Sequence, residues 1–187
     1  MQAIITTGLM ASFVLSGPTA VGQVGANSEP EAKVIETHQV SLTGYNAVPE
    51  QTDSDPFTTA SGAYSNPELI IARSVDLAED LPFGTVVKLI VPEDGTAAPC
   101  GLSSVESLVG LRVVADSMHP RKRNQLDILF DADDSVKIGG KKMNPAVVLG
   151  VCKNIQVEVI GRIDVTKMPR NQTELMARVG VAALALR

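Results

Sequence analysis

Short runs of apolar and β-branched residues constrain the fold of this chain more than any other feature of its sequence. Each run has the length of a single strand, and residues that favour turns lie near its ends. The six runs are 38–46, 68–73, 85–91, 110–116, 125–130 and 155–160. Two short helices are predicted between them, at 103–108 and 144–151. The sequence therefore predicts a mainly β domain.

The two ends of the chain differ in character from this β-rich middle. Residues 1–26 contain an apolar stretch and end in Val-Gly-Ala, which is similar to a signal-peptidase site, although they include no lysine or arginine. We predict a signal peptide and an exported protein; a disordered N-terminus is the alternative. A polar linker is predicted at 27–37 and the domain at 38–165. Residues 166–187 are predicted to form a helical extension capped by Asn171.

The composition excludes several classes of function. The formal net charge is -5 and the pI is about 5.0, so the chain has no general attraction for nucleic acids. Beyond the signal no apolar run reaches the roughly 18 residues that span a bilayer, so no stable membrane insertion is expected after signal removal. Tryptophan is absent and aromatic residues make up 3% of the chain, so a glycan would be bound largely through hydrogen bonds. The composition indicates no particular oligomeric state.

Two aspartates in the segment 113–130 are the strongest candidates for chemistry. Asp116 ends one predicted strand and Asp127 lies in the next, with a basic, turn-rich stretch between them. Burying an ionised carboxylate is costly unless the fold gives it a partner. Two carboxylates around one loop therefore predict a shared site. The alternative is that both aspartates cap backbone amides of the loop.

Four segments resemble, in order and spacing, the 3D (Asp-Asp-Asp) domain, which is related to the catalytic domain of membrane-bound lytic transglycosylase A and to the RlpA-like double-psi β-barrels. The segments are 44–62, 72–89, 113–130 and 146–150. The most specific part is the spacing of Asp116 and Asp127, which are eleven positions apart, as in the family stretch D-T-G-G-x-I-K-G-N-x-x-D. The resemblance covers residues 40–160 and implies a six-stranded double-psi β-barrel with short helices.

The resemblance also implies a role for individual residues of this segment. Asp127 falls on the family's catalytic aspartate, and Asp116 is expected to be its partner. Lys122 falls on the family lysine, where it would hold Asp116 ionised or bind a sugar oxygen. Asn124 falls on the family asparagine, and both are predicted to bind substrate.

The chain departs from the common family pattern within this loop, because bulkier residues replace glycines. Met118 and His119 stand where many members have Gly-Gly, and Arg123 replaces the glycine after the lysine. The loop is therefore expected to differ in shape and in its glycan contacts. The default interpretation of the run from Arg121 to Arg123 is a solvated basic loop; the functional one is that it binds peptide-stem carboxylates or steers the polymer.

The family motif near the start of the domain predicts further substrate-binding residues. Those expected to line the groove and hydrogen-bond the glycan are Tyr45, Thr59 and Ser61. A third aspartate is also expected from the family name, and its role is predicted to be substrate binding. The candidates are Asp76, which fits best, and its rivals Asp53 and Asp80.

The activity that the resemblance implies is cleavage of peptidoglycan glycan strands by a lytic transglycosylase in the periplasm or cell envelope of a bacterium. An acid protonates the glycosidic oxygen, and the same group then deprotonates the sugar's own 6-hydroxyl as a 1,6-anhydro ring closes, so no metal or other cofactor is needed. Asp127 is predicted to be this group, which requires a raised pKa. A non-catalytic barrel that binds cell-wall glycans, or has a structural role, is the alternative.

The chain has two cysteines, Cys100 and Cys152. An even number of cysteines in a chain predicted to be exported favours a disulfide, and two buried free thiols are the alternative. The two histidines, His38 and His119, do not lie in a spacing that suggests a metal site.

Overall fold

The computed structural model of this chain describes residues 34–52, 55–92 and 100–180. They form a mainly β structure with a closed six-stranded barrel, a few short helices and a C-terminal helix, as predicted. The eight strands are β1 (Glu36–Asn46), β2 (Ile70–Arg73), β3 (Thr85–Ile90), β4 (Arg112–Ser117), β5 (Gln125–Phe130), β6 (Val136–Ile138), β7 (Lys141–Met143) and β8 (Cys152–Arg162). All except β6 and β7 belong to the barrel.

Around the barrel the strands follow the order β1–β5–β2–β4–β3–β8, and β8 closes the barrel against β1. β5 is parallel to β1 and β4 is parallel to β2, while the other neighbouring pairs are antiparallel. The ladder between β2 and β4 is irregular between Ile71 and Ala72. Such a bulge changes the direction of the side chains that follow it. It places Asp116, near the end of β4, opposite Ala72.

The core of the barrel is apolar and is built from alternate residues of its strands. Each barrel strand contributes at least one buried aliphatic side chain, examples being Leu42, Ile71, Val87, Val114, Ile128 and Val157. A second buried cluster contains Tyr45, Ala63, Ala72, Met118 and Leu129. Its members in β2 and β5 alternate with core residues, so this cluster lies on the outer face of the barrel wall. That outer face carries the candidate site.

Three short helices accompany the barrel: α1 (Leu102–Val109), α2 (Pro145–Leu149) and α3 (Gln172–Val179). The Asn144 side chain accepts a hydrogen bond from the amide of Ala146 and so caps α2. Asn171 caps α3 by accepting from the amide of Glu174 at 2.9 Å. Within the described ranges, no helix has both the length and the apolar character that crossing a membrane would require.

The predicted strands and helices match the observed ones, with ends displaced by a few residues. β1 begins at Glu36, inside the predicted linker. The hairpin of β6 and β7 was not predicted, although Gly139 and Gly140 at its turn are a recognised hairpin signal. The predicted signal peptide, the linker as far as residue 33 and the last part of the helical extension, 181–187, lie outside the described residues, as does Asp53.

Cys100 and Cys152 form a disulfide, with 5.2 Å between their Cα atoms. The bond joins the residues just before α1 to the first residue of β8. The backbone is tightly packed here, because a Cβ added at Gly101 would lie 1.8 Å from the carbonyl oxygen of Val148 in α2. The disulfide therefore links α1, α2 and the barrel into one compact region.

Candidate functional site

The two aspartates of the segment 113–130 flank a single small residue on the wall of the barrel. Ala72 of β2 lies opposite Asp116 on one side and opposite Asp127 on the other. Residues directly opposite in neighbouring strands point to the same face of a sheet. Because β2 lies between β4 and β5, the Cα atoms of the two aspartates are two strand spacings apart, which is roughly 10 Å. Both aspartates are partly exposed, so solvent reaches the pair.

Asp116 is held in place by three hydrogen bonds from the protein. The Tyr45 hydroxyl donates to its Oδ2 at 2.7 Å, and the amides of Ala60 and Ser117 donate to its Oδ1 at 2.9 Å each. Tyr45 is buried, and this burial, together with the charge of Asp116, raises the pKa of its hydroxyl far above the usual range. Tyr45 is therefore a permanent proton donor in the hydrogen bond that fixes Asp116.

Asp127 has a different environment, with one hydrogen-bond donor among the described residues. The Thr43 hydroxyl donates to its Oδ1 at 2.7 Å, and Gln125 donates in turn to Thr43 Oγ1 at 2.8 Å. Burial raises the pKa of Asp127 to about 6, and the charge of Asp116 adds to the rise, while Thr43 and Lys122 oppose it. Asp127 therefore carries a proton in mildly acidic solution and has a second oxygen left for a ligand.

Thr59 and Ser61 lie in the turn that covers Asp116 rather than at the carboxyl groups themselves. Their hydroxyls are 3.0 Å apart, and the Thr59 hydroxyl also donates to the carbonyl of Ala63. The amide of Ser61 donates to the carbonyl of Ala115 in β4. These bonds fix the turn so that the amide of Ala60 points at Asp116. Both residues therefore shape the site through the backbone between them.

The β4–β5 loop, residues 118–124, forms one side of the site and includes Lys122 and Asn124. Asn124 has a positive φ of 45°, and its amide donates to Asp76 Oδ2 at 2.9 Å. Burial alone raises the pKa of Asp76, but hydrogen bonds from Ser74 and Asn124 outweigh it and lower that pKa. The hydrogen bond to Asp76 therefore fixes the backbone at the end of the loop. Lys122 is exposed, and its charge acts on Asp127.

Of the two described candidates for a third aspartate, Asp76 is joined to the β4–β5 loop and Asp80 is not. Asp80 is exposed, and the described residues form no hydrogen bond or ion pair with it. The structure thus places four of the predicted site residues near one another, on the outer face of the barrel wall beside Ala72: Asp116, Asp127, Tyr45 and Lys122. Asp76, Asn124, Thr59 and Ser61 hold the two loops that border these residues.

Sequence reasoning missed three residues of the site. Thr43 is the donor to Asp127, Gln125 orients Thr43, and Ala72 separates the two carboxyl groups. Thr43 could have been predicted from the sequence, because it lies two positions before Tyr45 in a strand and so shares its face. Ala72 had no such sequence signal, since its place between the aspartates depends on two separate strand pairings.

The arrangement is suited to proton transfer at a bound polar ligand. Among the described residues, three donors fix one carboxyl group, and the other has a pKa of about 6 and an oxygen that accepts no hydrogen bond from them. A group with such a pKa can both give and take a proton near neutral pH. In the part of the chain that the structure describes, no three His, Cys, Asp or Glu side chains are grouped as metal ligands. No protein-family model and no curated protein matches this chain.

Proposed function

We propose that this protein cleaves the glycan strands of peptidoglycan by a lytic transglycosylase reaction in which Asp127 is the acid and then the base. The observation that carries the proposal is the environment of Asp127, a partly buried carboxyl group with a pKa raised to about 6 beside a second carboxyl group. Such an environment is what a carboxylic acid needs to remain protonated near neutral pH. The resemblance to 3D domains supplies the substrate class.

Each step of the proposed reaction is assigned to a residue of the site. Protonated Asp127 gives its proton to the glycosidic oxygen as the bond to C1 breaks. The C6 hydroxyl of the same sugar then attacks C1, and Asp127, now a carboxylate, takes the hydroxyl proton. The products are a free 4-hydroxyl on one fragment and a 1,6-anhydro ring on the other, and no water is consumed. Asp116, fixed by Tyr45, stabilises positive charge that develops at C1.

The disulfide supports the cellular location that this function requires. Peptidoglycan lies outside the cytoplasm, and disulfides form and persist in oxidising compartments such as the bacterial periplasm. The bond between Cys100 and Cys152 is therefore consistent with export. The proposed location is the periplasm or the cell envelope.

The test is digestion of purified sacculi with the full chain, followed by mass spectrometry of the released fragments. We expect wild-type protein to release 1,6-anhydromuropeptides and Asp127→Asn to release them at least roughly a hundredfold more slowly, because general acid–base catalysis is removed. Asp134→Asn is the matched control, since Asp134 is an exposed aspartate outside the site. This control variant should digest sacculi like the wild type.

The same digest distinguishes the alternatives. Fragments with reducing ends would indicate hydrolysis by water and would contradict the transglycosylase mechanism. Binding of sacculi without any release would favour a non-catalytic glycan-binding barrel. One observation speaks for that alternative: Asp116 accepts its three hydrogen bonds from the protein itself, as an aspartate that merely anchors loops would.

A further inference from the structure

The β4–β5 loop is anchored at both ends but exposed along its length. At its start Met118 is buried in the cluster with Tyr45 and Ala72, and its amide donates to the carbonyl of Arg73 at 2.9 Å. At its end the amide of Asn124 is bound by Asp76. Residues 119–124 between these anchors are exposed. The loop therefore presents its side chains to solvent from a fixed backbone.

Three consecutive cations occupy the exposed part of this loop. Arg121, Lys122 and Arg123 lie more than 4.0 Å from every described carboxylate, since the described residues form one ion pair, between Glu36 and His38. Arg123 bonds to the carbonyls of Pro120 and Lys122 through one nitrogen, Nη1, which leaves its other donors available. Such a cluster in a chain of net charge -5 is a local exception to the overall charge. Adjacent like charges repel one another, and an anionic ligand would relieve this repulsion.

The position of the cluster relative to the carboxyl pair limits what that ligand can be. Lys122 is close enough to Asp127 to lower its pKa, and Arg123 acts in the same way on Asp76. Arg121 has no comparable partner among the described carboxylates. The cations therefore lie near the carboxyl pair, and anionic groups of a polymer bound at Asp127 would be attracted to them.

We infer that the β4–β5 loop binds carboxylate groups carried by the substrate, so that the preferred substrate is a glycan strand whose peptide stems are still attached. This inference rests on the proposed function and adds to it the class of glycan. Arginine binds carboxylates through two parallel hydrogen bonds, which suits recognition of stem carboxylates. A glycan strand without stems keeps one lactyl carboxylate on each muramic acid, close to the sugar ring, but lacks the carboxylates that the stems carry farther from the ring.

The hairpin of β6 and β7 provides a matched control cluster at the other end of the barrel. It carries Lys137, Lys141 and Lys142, which likewise form no ion pair in the described part of the chain. β5 has 6 residues and leads from the β4–β5 loop toward the hairpin. At about 3.3 Å per residue, the strand separates the two clusters by roughly 20 Å.

The experiment compares binding of three full-length proteins to two polymers. The proteins are the wild type, the double variant Arg121→Gln with Arg123→Gln, and the control Lys141→Gln with Lys142→Gln. The polymers are intact sacculi and glycan strands from which the peptide stems have been removed enzymatically. We expect the arginine variant to bind intact sacculi roughly threefold to tenfold more weakly than the wild type at low salt. This loss should shrink at high salt and be clearly smaller on stem-free strands, which keep only the lactyl carboxylates.

Three results would overturn the inference. They are unchanged binding of the arginine variant to intact sacculi, an equal loss in the lysine control, and an equal loss on stem-free strands. The last two would show a general effect of charge. Binding is measured as the amount of protein recovered with the polymer and not as released fragments, so failure of the inference is distinct from failure of the proposed function, which the release of anhydro fragments tests.

Discussion

Asp127 is the residue whose chemistry and stability are most closely linked. Its pKa is raised from 3.8 to about 6 by burial, so the folded state binds its proton more tightly than the unfolded state does. As pH rises from about 4 to above 6 the folded protein must ionise a partly buried group, and the free energy of unfolding falls. The same burial that makes Asp127 a proton donor is thus a cost in stability.

A substitution at Asp127 should therefore stabilise the protein while removing its activity. We expect Asp127→Asn to increase the free energy of unfolding by roughly 1–3 kcal/mol well above pH 6, since one pKa unit corresponds to about 1.4 kcal/mol. The gain should shrink as pH falls through 6 and disappear below pH 3.8, where the wild-type carboxyl group is protonated in both states. Urea unfolding at a series of pH values measures this. A variant less stable than the wild type at every pH would show that Asp127 is structural.

At the scale of elements, the disulfide connects segments that the barrel ladder does not join directly. Cys100 precedes α1, and Cys152 begins β8, 52 positions later in the chain. Gly101, just before α1, has no side chain, so the backbone there lies directly against Val148 of α2 and the two helices are close together. Cross-linking a loop of this length restricts the unfolded chain, which is how a disulfide stabilises the folded state in the chain-entropy model.

Removal of the disulfide should reduce stability without abolishing the fold of the barrel. We expect the double variant Cys100→Ala with Cys152→Ala to lose roughly 3–4 kcal/mol in free energy of unfolding. Denaturant unfolding with and without a thiol reductant measures the loss. The reductant should destabilise the wild type and leave the double variant unchanged. Equal sensitivity of both proteins to reductant would contradict a stabilising disulfide.

At the scale of the whole molecule, the fully buried Arg112 joins several elements. Its guanidinium donates to the carbonyls of Leu108 and Val109 at the end of α1, and to Leu129 in β5. It also donates to two carbonyls in and before β2. Burial lowers the pKa of Arg112 to about 9. The backbone thus supplies the acceptors that a buried charge needs, and one side chain holds α1 against the barrel wall.

Lysine cannot replace this arginine, because it has fewer donors and no planar fork. We expect Arg112→Lys to lower the free energy of unfolding by about 2–4 kcal/mol through unsatisfied carbonyls and a poorly solvated ammonium. Arg121→Lys is the matched control, since Arg121 is exposed, and its effect should stay within about 0.5 kcal/mol. Denaturant titration of both variants measures the difference. Similar small losses in both would mean that the network around Arg112 contributes little.

The sequence by itself determined the local features of this protein. Strand length and β-branched composition predicted the six barrel strands, and Asn171 marked the start of α3, because these signals act between residues close in the chain. Asp116 and Asp127 stood out for a similar reason, as carboxylates at the end of one apolar run and inside the next. Cys100 and Cys152 were the one possible pair, because the chain has no other cysteine, but the sequence left open whether they are bonded.

Only the tertiary structure decided how these features combine. Ala72 lies between the aspartates because β2 pairs with both β4 and β5 and the ladder shifts beside it, and strand register between distant segments leaves no local pattern in a sequence. The hydrogen bonds of Tyr45 and Thr43 to the two aspartates follow from the same pairings. The pKa of Asp127 depends on its burial, and burial is a property of packing among residues far apart in the chain.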